Sequence, residues 1–96
     1  MAQQYTIGKT ATKVLTVNGA TSVIYHSTVV VRFDHEEIVL NSGGWRTATT
    51  KSRMNQASNQ FDLGFSVQQK DYDWFVVYRG ESIPFSDGMT LQRFTA

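Results

Sequence analysis

The amino-acid sequence predicts an α+β domain, a mostly antiparallel β-sheet with one α-helix packed on it. Three observations carry this expectation. Runs of Val, Ile, Thr and aromatic residues fill most of the first 45 positions and return from position 65, and such residues favour the pleated sheet. Turn residues punctuate those runs, and Asn18-Gly19 is the strongest short hairpin signal among them. One stretch, 47–60, has no Gly, no Pro and no β-branched run, and reads as the single helix.

The elements follow in order. Strand 13–17 runs into Asn18-Gly19, and 21–25 returns. Strand 28–33 alternates, with Val29, Val31 and Phe33 on one face and Thr28, Val30 and Arg32 on the other. Asp34-His35-Glu36 turns the chain into strand 37–40. Asn41-Ser42-Gly43-Gly44 ends the strand pattern before a helix over about 49–61. On a wheel of 100° per residue Met54, Ala57 and Phe61 fall within about 40° of Thr50, a narrow apolar stripe. Lys51 and Ser58 flank it on one side and Arg53 and Gln60 on the other, with Ser52, Gln56 and Asn59 at the back. Strand 65–69, the turn 70–73 and strand 74–78 come next. The last is apolar on both faces and is expected in a sheet interior. Pro84 cannot donate to a ladder, so 83–85 is expected at an edge. Ser86-Asp87-Gly88 precedes a final strand, 89–93. The expected core includes Val29, Val31, Phe33, Met54, Phe61, Trp74, Phe75 and Val77.

A chain of 96 residues has room for one domain, 1–96. At 41% hydrophobic and 12% aromatic it is a folding composition. Only 18% of residues are charged, and the polar share falls instead to eleven Thr, eight Ser and seven Gln. A net charge of +1 excludes a histone-like protein but leaves room for a local patch. Without cysteine there are no disulfides, no thiolate metal site and no thiol catalysis. No apolar run approaches a membrane span, and the N-terminus lacks the pattern of a signal peptide, so a cytoplasmic location is expected.

Nothing argues for an enzyme. No phosphate-loop, dinucleotide, nucleophile-elbow or zinc-helix motif occurs. His35 among Asp34, Glu36 and Glu37 reads first as a solvated acidic turn, and Asp71 and Asp73 read as turn caps. No metal and no cofactor is expected.

The segment SGGWRTATTKSRMN is different. From position 38 to 61 there is no acidic residue, while Arg46, Lys51 and Arg53 all fall there. Gly43 and Gly44 would let backbone amides approach a ligand closely. Thr47, Thr49 and Thr50 bring hydroxyls to a helix start, where free N–H groups and the dipole favour an anion. Lys51 has the wrong charge for a first turn unless an anion is bound there. Trp45 beside Arg46 suits a base next to a phosphate, and Asn55 would read a base edge. The plainer alternative is a tight strand-to-helix loop with ordinary threonine caps and Trp45 closing the core.

The strings LNSGGWRTATTKSRMNQ and WFVVYRGESIPFSDGMTL resemble small proteins encoded by tailed bacteriophages. In these a Gly-Gly-Trp, a Thr-Thr-Lys, an Arg-Met-Asn and a late Asp-Gly-Met recur in the same order. The resemblance covers roughly positions 28–92 and implies a phage origin, hence the cytoplasm of an infected bacterial host. It carries no activity with it. Small phage proteins without enzyme motifs often act on host defence, either by occluding a host protein or by sequestering a nucleotide signal.

Three functions follow as expectations. The first is a non-enzymatic protein that captures a phosphate-bearing small molecule, such as a host-defence nucleotide, through Gly43, Gly44, Trp45, Arg46, Thr47, Thr49, Thr50, Lys51, Arg53 and Asn55. A pocket shared across a homo-oligomer is expected, because a domain this small rarely encloses a nucleotide alone. The second is single-stranded nucleic-acid binding, with Trp45 and Tyr72 stacking on bases. The third is inhibition of a host protein through the edge near Pro84 or the polar helix back around Gln56 and Asn59.

Overall fold

The structure, a computed structural model, describes residues 12–44 and 46–93. Its elements are β1 (Thr12–Val17), β2 (Ala20–Tyr25), β3 (Thr28–Phe33), β4 (Glu37–Leu40), α1 (Ala48–Phe61), β5 (Phe65–Lys70), β6 (Asp73–Tyr78), β7 (Glu81–Pro84) and β8 (Met89–Gln92). The class is α+β, with antiparallel pairing throughout. The strands divide into two sheets where the sequence suggested one. The order is β1-β2-β3-β4-β8 in the larger sheet and β5-β6-β7 in the smaller.

Local sequence explains the hairpins. Asn18 and Gly19 sit at φ 52° and 82°, and Arg79 and Gly80 at 52° and 80°. Both pairs occupy the left-handed region that two-residue hairpin turns require. The β5–β6 turn does the same with Asp71 and Tyr72, at φ 52° and 71°, and has no glycine. Pro84 lies in β7, an edge strand as expected, and β6 is the central strand of its sheet.

Strict alternation along β3 fails. Val23 pairs with Val31 but Ile24 pairs with Val29, so a bulge leaves Val30 as an extra residue. Val30 and Val31 are therefore both buried, and Val29 turns outward to solvent rather than into the core. On β6 the buried residues are Trp74, Val76 and Tyr78, while Phe75 and Val77 are half-buried on the opposite face. Phe33 and Phe61 are also half-buried, and their rings meet at 5.0 Å.

The helix begins at Ala48 because Thr47 caps it, accepting a hydrogen bond from the Thr50 N–H at 3.2 Å. It packs on β5, β3 and β2 through Thr50, Met54 and Ala57, the expected stripe. Gln56 and Ser58 are buried as well, which the wheel did not foresee. For Ser58 the reason lies at the outer edge of β5. Asn55 donates through Nδ2 to the Val67 carbonyl at 3.0 Å and accepts from the Val67 N–H at 2.7 Å. The Ser58 hydroxyl donates to the Phe65 carbonyl at 2.7 Å and accepts from the Phe65 N–H at 3.0 Å. These side chains take the place of a neighbouring strand, so β5 closes one side of its sheet instead of joining the larger one. Residues 85–88 return the chain to the larger sheet, where β8 pairs with β4 in the register Ile38–Leu91 and Leu40–Met89.

Candidate functional site

The loop from Asn41 to the helix start is organised by its own side chains. Asn41 Oδ1 accepts from the Gly43 N–H at 2.7 Å, and Ser42 Oγ accepts from the Gly44 N–H at 3.2 Å. Ser42 is buried and donates both its N–H and its hydroxyl to Asp87 Oδ1, at 2.8 and 2.7 Å. Partial burial pushes the Asp87 carboxyl up. The Ser42 N–H and hydroxyl, the Arg46 charge and the Gly44 N–H more than offset this and hold it below its ordinary value of 3.8. The glycine-rich loop thus gathers donors around an anion, and that anion is a carboxylate of the same chain.

Gly43 has φ +63°, and a Cβ there would lie 2.5 Å from the Thr28 hydroxyl. This close approach seats the loop against the β2–β3 turn. Between them lies a cleft of about 380 Å³, lined by Tyr25, His26, Ser27, Thr28, Val30, Ser42, Thr47 and Thr50. Five hydroxyls converge on it besides the phenol and the imidazole. Thr47 Oγ1 and Thr50 Oγ1 are 3.1 Å apart on its helix side. The rings of Tyr25 and His26 meet at 4.3 Å, inclined by 54°.

The structure separates the three cations of the segment. Arg46 lies over the Phe85 ring, 5.1 Å from its centroid, on the β7 side of the molecule. Lys51 lines a second hollow of about 450 Å³ against β5, with Asn55, Asn59 and Gln69. Arg53 turns toward β2: Nε donates to Thr12 Oγ1 at 2.9 Å, Nη1 donates to Gln56 Oε1 at 3.1 Å, and the guanidinium stands over Tyr25 at 5.6 Å. Of the expected site residues, Thr47 and Thr50 line the cleft, Gly43 abuts it and Arg53 reaches its Tyr25 wall. Thr49 is exposed on the helix. Asn55 spends its amide on Val67. Trp45 lies outside the described residues.

Tyr25, His26, Ser27, Thr28 and Ser42 complete the cleft and were not singled out by sequence. The run Tyr-His-Ser-Thr, polar and free of acids at a hairpin turn, was the signal available. The other candidates are local. Asp34 Oδ1 accepts from the Glu36 and Glu37 N–H groups at 2.8 and 2.9 Å, and these bonds lower its pKa. His35 lies 3.5 Å from Glu36 in that exposed turn. Among the described residues no cluster of three or more metal-ligating side chains forms.

Fold and site together define a small two-sheet α+β protein with a hydroxyl-lined cleft at its helix start. The chain matches the family model of the Kyanoviridae Gp96 protein over residues 1–92 and belongs to that family, which makes it a phage protein. The phage origin implied by the Gly-Gly-Trp and Asp-Gly-Met strings stands on this match. No curated protein and no solved structure matches the chain. Among the described residues no helix is long and apolar enough to cross a membrane.

Proposed function

We propose that this phage protein is a non-enzymatic binding protein that sequesters a small phosphate-bearing molecule of the nucleotide class in the cleft between the β2–β3 turn and the helix start. One observation supports the reading above others: five hydroxyls, an imidazole and a tyrosine ring converge on one hollow of about 380 Å³. That volume suits a small ligand, and a few converging polar groups on an otherwise apolar wall are what orient one. Tyr25, backed by the Arg53 guanidinium, would take a base or sugar face. His26 and the threonine hydroxyls would take phosphate oxygens. A nucleotide signal of host defence belongs to this ligand class.

The divergence of Arg46, Lys51 and Arg53 weighs against the nucleic-acid alternative, since a strand needs a continuous basic track. The test is titration calorimetry with nucleoside monophosphates, cyclic mononucleotides and cyclic dinucleotides, each beside its parent nucleoside. We expect a phosphate-bearing member to bind with defined stoichiometry and modest salt dependence. His26→Ala should weaken it by about 1.5–3 kcal/mol, the scale of a charge-assisted hydrogen bond. Equal binding of nucleoside and nucleotide, or no loss on His26→Ala, overturns the reading.

A further inference from the structure

We infer that the cleft selects a ligand with a single phosphate charge, the phosphodiester of a cyclic mononucleotide, over phosphomonoesters and polyphosphates. The inference rests on the phosphate-binding reading above and narrows it to one charge state. Among the described residues that line the cleft, only His26 can carry a positive charge. Arg53 reaches the Tyr25 ring, but its Nε is on Thr12 and its Nη1 on Gln56. Arg46 stacks on Phe85, and Lys51 lines the other hollow. One part of the wall is instead backed by negative charge, because the Asp87 carboxylate accepts both the N–H and the hydroxyl of Ser42.

The hydroxyls differ in where their protons go, since each has one to donate. Ser42 spends its proton on Asp87 and accepts the Gly44 N–H, so it offers a ligand only a lone pair. Thr47 and Thr50 share one proton between oxygens 3.1 Å apart, which leaves one of their two for a ligand. Ser27 and Thr28 make no side-chain hydrogen bond to another described residue. The donors open to a ligand are therefore these hydroxyls, the Tyr25 phenol and the His26 imidazole, and only the imidazole can be cationic.

Neutral donors hold a phosphate oxygen without cancelling its charge. A phosphodiester brings one negative charge, which one imidazolium balances. A phosphomonoester brings about 1.5–2 at neutral pH, and each further phosphate adds to that. The excess would lie unpaired near the Asp87 carboxylate, and an unmatched charge withdrawn from water is costly. The lone pair left on Ser42 suits a sugar hydroxyl or a base N–H, neither of which a phosphodiester group supplies.

The test is titration calorimetry of the full chain at neutral pH and fixed ionic strength, in adenine, guanine, cytosine and uracil series. Each series compares the nucleoside, its 3′,5′-cyclic monophosphate, its 5′-monophosphate, its 5′-triphosphate and a cyclic dinucleotide, which carries two diester charges. In the series that binds, we expect the cyclic monophosphate to bind at least about tenfold more tightly than the 5′-monophosphate, with the triphosphate weaker still. Ser27→Lys, at an exposed position of the turn, adds a cation to the lining and should shrink that preference at least about fivefold. A 5′-monophosphate, triphosphate or cyclic dinucleotide that binds as tightly as the cyclic monophosphate, with the nucleoside weaker, overturns the proposal and leaves phosphate binding standing. A nucleoside that binds as tightly as its phosphates, or no binding in any series, overturns the phosphate reading and the proposal with it. An unchanged preference in Ser27→Lys, with its fold checked by circular dichroism, shows that charge does not select the ligand and overturns the proposal alone.

Discussion

Asp87 shows how one side chain ties distant segments together. Its carboxylate holds the buried Ser42, and through it the loop that starts the helix. Because its folded pKa lies below 3.8, its contribution is fully present above that value and is lost as pH falls through the lower folded value. Wild-type melting temperature should therefore drop below about pH 4. Asp87→Asn should be less stable than wild type at neutral pH and lose less on acidification, since it has no carboxyl to titrate. An identical acid dependence in both proteins would show that Asp87 is not a contributing group. Tyr72 makes the opposite case. It is 95% exposed, so it stabilises nothing by burial, yet it stands at φ 71° where the two sister turns place Gly19 and Gly80. Tyr72→Gly should raise stability by about 0.5–1 kcal/mol, the relief of left-handed strain less the added freedom of the unfolded chain. Denaturant titration checks it, and a loss of stability would show that the ring contributes a contact.

At the scale of elements, the helix is held by polar groups as much as by its apolar stripe. Met54 and Ala57 fill the interface, but Asn55 and Ser58 decide where β5 lies. Ser58 is buried and bonds both backbone groups of Phe65. Ser58→Ala removes one oxygen and orphans two groups, so it should cost about 1–3 kcal/mol despite the small change in volume. Protection of the Phe65 and Val67 amides against exchange should fall with it. A cost within about 0.5 kcal/mol, as at an exposed site, would mean that water replaces the hydroxyl.

For the molecule as a whole, the core lies where helix, larger sheet and smaller sheet meet, and burial there ranks the substitutions. Met54 has no exposed surface, and Met54→Ala should cost about 2–5 kcal/mol. Phe61 sits at the rim against Phe33, only half-buried. Phe61→Ala should therefore cost about 2 kcal/mol, below the 3–5 expected of a fully enclosed ring. Denaturant midpoints of the two variants give the comparison, and the reverse ranking would place the centre of the core at the helix end. The sheets are further joined by Tyr78 to Gln92 and by Arg79 to the Arg93 carbonyl.

The sequence by itself determined the turns, the single helix, its threonine cap and the edge position of Pro84. Each of these depends on φ preference or on spacing within a few residues, and Asn18-Gly19, Thr47 and Pro84 act the same way wherever the chain around them goes. Tertiary structure decided the rest. The β3 bulge turned Val29 outward, because pairing with β2 shifts by one residue where alternation alone assumes a regular ladder. The amides of Gly43 and Gly44 looked free for a ligand, but Asn41 Oδ1 and Ser42 Oγ take them within the loop, and the fold brings Asp87 back to hold Ser42 from 45 positions away in the chain. Arg46, Lys51 and Arg53 are close in sequence, yet Phe85, the β5 hollow and Tyr25 draw them apart. In their place the fold brings the Tyr25–Thr28 turn against Ser42 and Thr47. Linear spacing records what a residue is able to do, but contacts between distant segments decide which partner it meets.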